Sequence, residues 1–146
     1  MATNQGAAAS KAPTGAELGR GWFEHSPFAR ELGLELVSMD PDRAEVRLPY
    51  RAELATVADV VHGGAISALI DTTAALAAWS GHDPAQGTRW GTVSMTVNFE
   101  GAATGQDLVA AAEVRRRGKS VSFVSVTIKD ADGGRIAQSL ITYRLG

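Results

Sequence analysis

The chain has 146 residues, 45% of them hydrophobic and 21% charged, enough for one domain with its own core. Its formal net charge of -2 lacks the basic surplus that binding a phosphate backbone requires, so nucleic acid is not an expected partner. There is no cysteine, which excludes a disulfide framework, a thiolate nucleophile and a Cys-bound metal, and His25, His62 and His82 are too scattered to form a zinc motif.

Residues 1–13 are small, polar and rich in Ala, Gly and Ser. They lack the pattern of a signal peptide and are expected to form a disordered tail, leaving 14–146 as a single domain. In "TGAELGRGWFEHSPFARELG", Thr14 and Glu17 make a T-x-x-E capping box, and Trp22, Phe23 and Phe28 supply an apolar face. That pattern predicts a short helix followed by a turn. "LELVSMD" and "RAEVRLPY" alternate on either side of Pro41-Asp42 and predict a hairpin. Residues 49–61 have mixed character and predict a long loop, a kind of segment that tends to carry function.

Ala65–Ser80 is the one long predicted helix. Ile66, Leu69, Ile70, Thr73, Leu76 and Ala77 share one face at helical spacing. Its other side carries mostly small residues, so the helix is expected to be enclosed rather than laid on a surface. The apolar run is too short to cross a bilayer and is interrupted by Asp71, and a cytoplasmic protein with no membrane partner is expected. The remainder of the chain alternates as four strands. In the first, Trp90, Thr92, Ser94, Thr96 and Asn98 are expected on one face, against Val93, Met95, Val97 and Phe99. Turns follow at Gly118 and at Asp132-Gly133-Gly134. A curved antiparallel sheet wrapped around the long helix satisfies this order of elements. Such a sheet leaves open edges and suggests pairing with a second copy.

Asp71 stands out within that helix, because no other residue between His62 and Gly81 carries a formal charge. Alone, such an Asp reads most simply as a polar group satisfied by a neighbour. Likewise, Gly63-Gly64 alone is a helix-starting turn, and Arg115–Lys119 alone a solvated strand end. The combination says more. "VHGGAISALIDTTAALA", with the Asp nine residues after the His, resembles the signature of the PaaI-like hotdog-fold acyl-CoA thioesterases. The four-strand half from Thr92 to Gly146, with its "RGKS" turn, is similar to that family as well, so the likeness covers roughly residues 20–146.

The resemblance implies an α+β hotdog fold and hydrolysis of an acyl-CoA thioester to acid and CoA, without cofactor or metal. A carboxylate partly out of water is more basic than one in bulk water, so Asp71 would activate water or attack directly. Free N–H groups at a helix start can hold a developing oxyanion. By family analogy, Gly63 supplies that amide and His62 shapes the site, across a homodimer interface from Asp71. Thr92 matches an assisting Ser/Thr position. Thr56 stands where the family commonly has Asn. The same analogy places Gly64, Phe99, Arg117, Gly118, Lys119, Ser120, Val121, Ser122 and Arg144 along the CoA channel. Trp79 and Trp90 are candidates for the acyl end, and dimers are expected to pair into a homotetramer. A hotdog hydratase or dehydratase, and a non-catalytic acyl-CoA sensor, remain as alternatives. The first typically uses another His/Asp arrangement, and no DNA-binding helix-turn-helix supports a regulator.

Overall fold

The computed structural model describes residues 11–146. Of the expected N-terminal tail, residues 1–10 lie outside the described residues, and 11–13 carry no helix or strand. Helix α1 (Gly15–His25) opens on the expected box: the Glu17 N–H donates to Thr14 Oγ1 and the Glu17 carboxylate accepts from the Thr14 N–H. The expected turn after it is instead a second short helix, α2 (Pro27–Leu32). Ser26 ends α1 and caps α2 through Ala29, with Pro27 at the first helical position, where its missing N–H costs nothing.

Strands β1 (Glu35–Asp40) and β2 (Arg43–Leu48) form the expected hairpin, with Asp42 in the left-handed region at its turn. The segment read as a loop over 49–61 is more ordered than that. It holds a tight turn at Ala52–Leu54 and a small ribbon of β3 (Ala55–Val57) and β4 (Val60–Val61). β-Branched Val57, Val60 and Val61 flank the reversal at Ala58, which favours extended backbone there.

Helix α3 (Gly63–Ser80) starts two residues earlier than periodicity predicts, because His62 acts as its cap. Strands β5 (Trp90–Phe99), β6 (Leu108–Arg117), β7 (Val121–Asp130) and β8 (Arg135–Leu145) complete a six-stranded antiparallel sheet in the order β1-β2-β6-β7-β8-β5. The sheet curls around α3. Leu69, Ile70, Thr73, Leu76 and Ala77 are wholly buried against Val46, Leu108, Val124, Val126 and Ile141. Removing such apolar surface from water is the main favourable term holding the sheet to the helix.

Two bulges re-aim side chains. A register shift between Thr92 and Ser94 pairs Thr92 with inward-facing Tyr143 and Ser94 with outward-facing Thr142. Trp90 and Thr92 therefore face the helix with Met95 and Phe99, rather than sharing a face with Ser94 and Thr96 as strict alternation predicts. A second shift, between Val114 and Arg116, pairs Arg117 with buried Ser122 and turns its side chain inward.

Arg117 then clamps the end of α3. Its Nη2 donates to the Ala78 carbonyl at 2.8 Å and to Asp42 Oδ1 at 2.5 Å. A cation at the negative end of a helix is favourable, and the Asp42 partner holds it there. At the same end, α1 docks against α3 so closely that a methyl group on Gly15 would collide with the carbonyl oxygens of His82 and Trp79.

Two stability results follow. Alanine is the better helix former, yet Gly15→Ala should destabilise the protein by about 2 kcal/mol, because the methyl meets backbone. Thermal unfolding would read this as a lower Tm; a raised Tm would contradict the close approach. The second concerns Tyr143, 2% exposed. Burial pushes its hydroxyl up to about 12, with the Trp79 indole pulling against the shift and the Asp71 charge adding to it. The unfolded chain loses this proton first, near pH 10. The contribution of neutral Tyr143 is therefore full below that pH and is lost as pH rises toward 12, by up to about 3 kcal/mol. Urea unfolding at pH 8 and pH 11 should show a smaller drop in Tyr143→Phe than in the parent chain.

Candidate active site

The start of α3 is built from the segment before it. The Val61 N–H donates to the Ala103 carbonyl at 2.8 Å, the His62 N–H to that of Leu54 at 2.7 Å, and Val60 bridges to Thr104. His62 Nδ1 accepts the Gly64 N–H at 2.8 Å. In the neutral ring the proton therefore sits on Nε2, which faces away from the helix as a donor. Among the described residues the Gly63 N–H has no partner. It is thus a free donor at the positive end of an 18-residue helix. A methyl group on Gly63 would lie 3.3 Å from the Phe99 ring, so the ring of β5 stands directly over the glycine.

Asp71 lies two turns further along α3, half-buried. Thr92 Oγ1, on β5, donates to its Oδ1 at 2.5 Å. The Val93 bulge makes this bond possible, since unbroken alternation from Ser94 would put Thr92 on the far face. Both groups line a cavity of about 300 Å³. Ala68, Thr72 and Ala75 of α3 form its floor, and Tyr143 of β8 lies at its base. Its remaining wall comes from Trp22, Ser26 and Phe28 around the α1–α2 elbow, together with Trp90 of β5. The Trp22 and Trp90 rings meet edge to face, 6.1 Å apart.

Within one chain the expected residues fall into three groups. Asp71 and Thr92 meet at the cavity. His62, Gly63, Gly64 and Phe99 gather at the start of α3, about 12 Å away by helical rise. Thr56 sits exposed on the β3–β4 ribbon, with no hydrogen bond from its side chain among the described residues. The third group is the β6–β7 turn, where Lys119 and Ser120 are exposed and Val121 pairs with Arg144. Gly118 closes that turn by donating to the Val121 carbonyl at 2.8 Å. Arg117 and Ser122 belong to the clamp at the end of α3, with Arg117 Nη1 3.4 Å from Ser122 Oγ. Of the two tryptophans, Trp90 lines the cavity. Trp79 does not: it is buried core, packed edge-on against His82. The sequence reading missed Trp22, Ser26, Phe28 and Tyr143 as lining residues. The aromatic density of "GWFEHSPF" was their signal, but helical periodicity alone assigns those rings to the core.

Among the described residues no group of acidic or His side chains is placed to hold a metal, and no helix is long and apolar enough to cross a membrane. Comparison with known proteins identifies the fold and the chemistry it carries. Residues 58–137 match the model of the thioesterase superfamily. The chain is similar to the human acyl-coenzyme A thioesterase 13, at 31% identity over 82% of this chain and 85% of that protein. It is also similar to the Escherichia coli acyl-coenzyme A thioesterase PaaI, at 30% identity over 73% of each. Among solved structures, a thioesterase family protein from Silicibacter pomeroyi superposes with a TM-score of 0.83, at 27% identity over 90% of this chain and 99% of that one. The antiparallel sheet around a central helix, the match over the segment that holds His62 and Asp71, and these relatives agree: the chain belongs to the thioesterase superfamily and is a hotdog-fold thioester hydrolase.

Proposed function

We propose that this protein hydrolyses acyl-CoA thioesters to the free acid and CoA, at a site made by two copies of the chain. The observation that carries the reading is the Thr92–Asp71 hydrogen bond at the mouth of an apolar-walled cavity, on a helix with no other charged side chain. Thr92 aims the carboxylate. Asp71 either removes a proton from a water that attacks the thioester carbon, or attacks that carbon itself. The carbonyl oxygen gains charge as the new bond forms. The C–S bond then breaks, and CoA leaves as a thiolate that takes up a proton. After direct attack, water hydrolyses the mixed anhydride to the acid and restores the carboxylate. The Gly63 N–H of the other chain stabilises that charge, and the bare glycine lets the carbonyl approach. His62 contributes its Nε2–H beside it.

Geometry supports a second copy. Strand β5 is an edge of the sheet, ten residues long, with Trp90, Val93, Met95 and Phe99 exposed along it. A long apolar edge of this kind is a template for another strand. One end of β5 touches Asp71 through Thr92, and the other covers Gly63 through Phe99. Antiparallel pairing of two β5 strands about an axis near Met95 and Thr96 exchanges those ends. Each Asp71 then faces the Gly63 of the other chain, giving two sites per dimer. Two dimers pair further through the outer sheet face, where Leu140 and Phe123 stand exposed. Exposed Lys119 and Arg144, with no side-chain partner among the described residues, meet the CoA phosphates, whereas Arg117 remains with Asp42.

A panel of acyl-CoAs assayed with a thiol-reactive dye tests this reading. Asp71→Asn should lose about a hundredfold or more in kcat while keeping the parent fold by circular dichroism. A folded Asp71→Asn within about threefold of the parent would contradict the assignment. Binding of acyl-CoA without turnover by the parent would favour a sensor instead.

A further inference from the structure

The α1–α2 elbow does more than continue the core. Phe23 turns inward and is buried, but its neighbour Trp22 and the following Phe28 turn toward Asp71 and wall its cavity. Phe28 is 60% exposed and Trp90 is 55% exposed, so neither ring is held there by burial in the core. The floor beneath them is a stripe of Ala68 and Ala75, two helical turns apart, with Asp71 and Thr72 between. Small side chains on the floor and large rings on the wall define a slot.

We propose that this slot is the acyl pocket, and that Trp22, Phe28 and Ala75 restrict the enzyme to compact acyl groups: a single ring, or a chain of up to about ten carbons. The proposal rests on the hydrolase reading for its placement beside Asp71. It selects the acyl rather than the pantetheine end of the substrate on chemical grounds. Pantetheine carries two amides, which lose hydrogen bonds to water on burial and need replacements. The wall is mainly indole faces, a phenyl ring and alanine methyls. Of the lining hydroxyls, Ser26 already accepts the Ala29 N–H, Thr92 donates to Asp71, and Thr72 and Tyr143 are buried at the floor. An acyl chain needs no such partners.

The size scale comes from the volume of about 300 Å³ between the α1–α2 elbow, α3 and β5 of one chain. At about 30 Å³ per carbon-sized group, comparable to one water in the liquid, the slot holds about ten such groups. Each methylene buried is worth up to about fourfold in affinity, so specificity should climb with chain length until the slot is full. The elbow rings set where it ends. Ala75 controls depth from the opposite side, because a larger side chain there would occupy the floor.

Steady-state kinetics on acetyl-, hexanoyl-, octanoyl-, phenylacetyl- and palmitoyl-CoA tests the pocket. In the parent, kcat/KM should rise from acetyl to octanoyl and fall for palmitoyl. Ala75→Phe should lower the octanoyl-to-acetyl ratio of kcat/KM by about tenfold or more, and Trp22→Ala should raise the palmitoyl-to-octanoyl ratio by a similar factor. Trp22 is only part-buried, so its variant keeps the test open if Ala75→Phe fails to fold. Ratios within about twofold of the parent in the folded variants would overturn the pocket while leaving hydrolysis intact. If the parent hydrolyses none of these thioesters, the hydrolase reading fails instead, and calorimetry with the octanoyl thioether of CoA still decides the pocket. Tighter binding than CoA alone, lost in Trp22→Ala, supports it; equal binding of the two overturns it.

Discussion

An α-helix holds residues eight apart at about 12 Å, and that spacing governs the whole site. Gly63 offers an amide with no partner among the described residues at the start of α3, and Asp71 offers a carboxylate two turns on. Both are fixed by a helix buried on most of its surface, so neither can move to the other. One thioester carbon cannot be within about 3 Å of both groups of one chain. A helix that spaces a free amide and a carboxylate in this way fits the proposed two-chain site, in which β5 is the hinge because it touches both ends.

The enclosure of α3 serves chemistry as well as stability. Sheet residues such as Val124, Val126 and Ile141 remove one face of the helix from water, and α1 covers part of the rest. What remains open between the first and last turns is Ser67, Ala68 and Asp71, and the cavity beside Asp71 is walled by aromatic rings rather than left to solvent alone. Electrostatic interactions gain strength where water is excluded, so a carboxylate held by one hydroxyl in such a slot is better placed to act on a carbonyl than one on an exposed helix face. The far end of the helix is treated differently. There Arg117, Asp42 and the Ala78 carbonyl form a closed set of bonds, which gives the helix a fixed end.

Much of this was legible from residue types alone. The Thr14–Glu17 box, the hairpin around Pro41-Asp42 and the long helix with its odd carboxylate each combine a local propensity with a matching pattern, and the structure has them. The misses share one physical cause: they depend on contacts distant in sequence. Alternation assumes an unbroken strand, so it put Thr92 on the face of Ser94, and nothing local marks Val93 as a bulge. The same limit hid the inward turn of Arg117, which counted by composition as one more base in a basic turn. Trp22 and Phe28 satisfy helical periodicity as core residues. Only the placement of α2 across the mouth of the cavity turns them toward Asp71.

The most direct test of the two-chain site is complementation in mixed dimers. Asp71→Asn removes the proposed catalytic carboxylate. Gly63→Pro removes the amide hydrogen at the first helical position, where the extended backbone of His62 accommodates proline and the exposed Phe99 ring has room to shift from the added ring. Each homodimer should be inactive. Co-expressed and purified through two different tags, the mixed dimer should regain about half the parent activity, because one of its two sites then pairs an intact Asp71 with an intact Gly63 from the other chain. A mixed dimer as inactive as its parents, with both variants folded and paired, would contradict a site shared between chains.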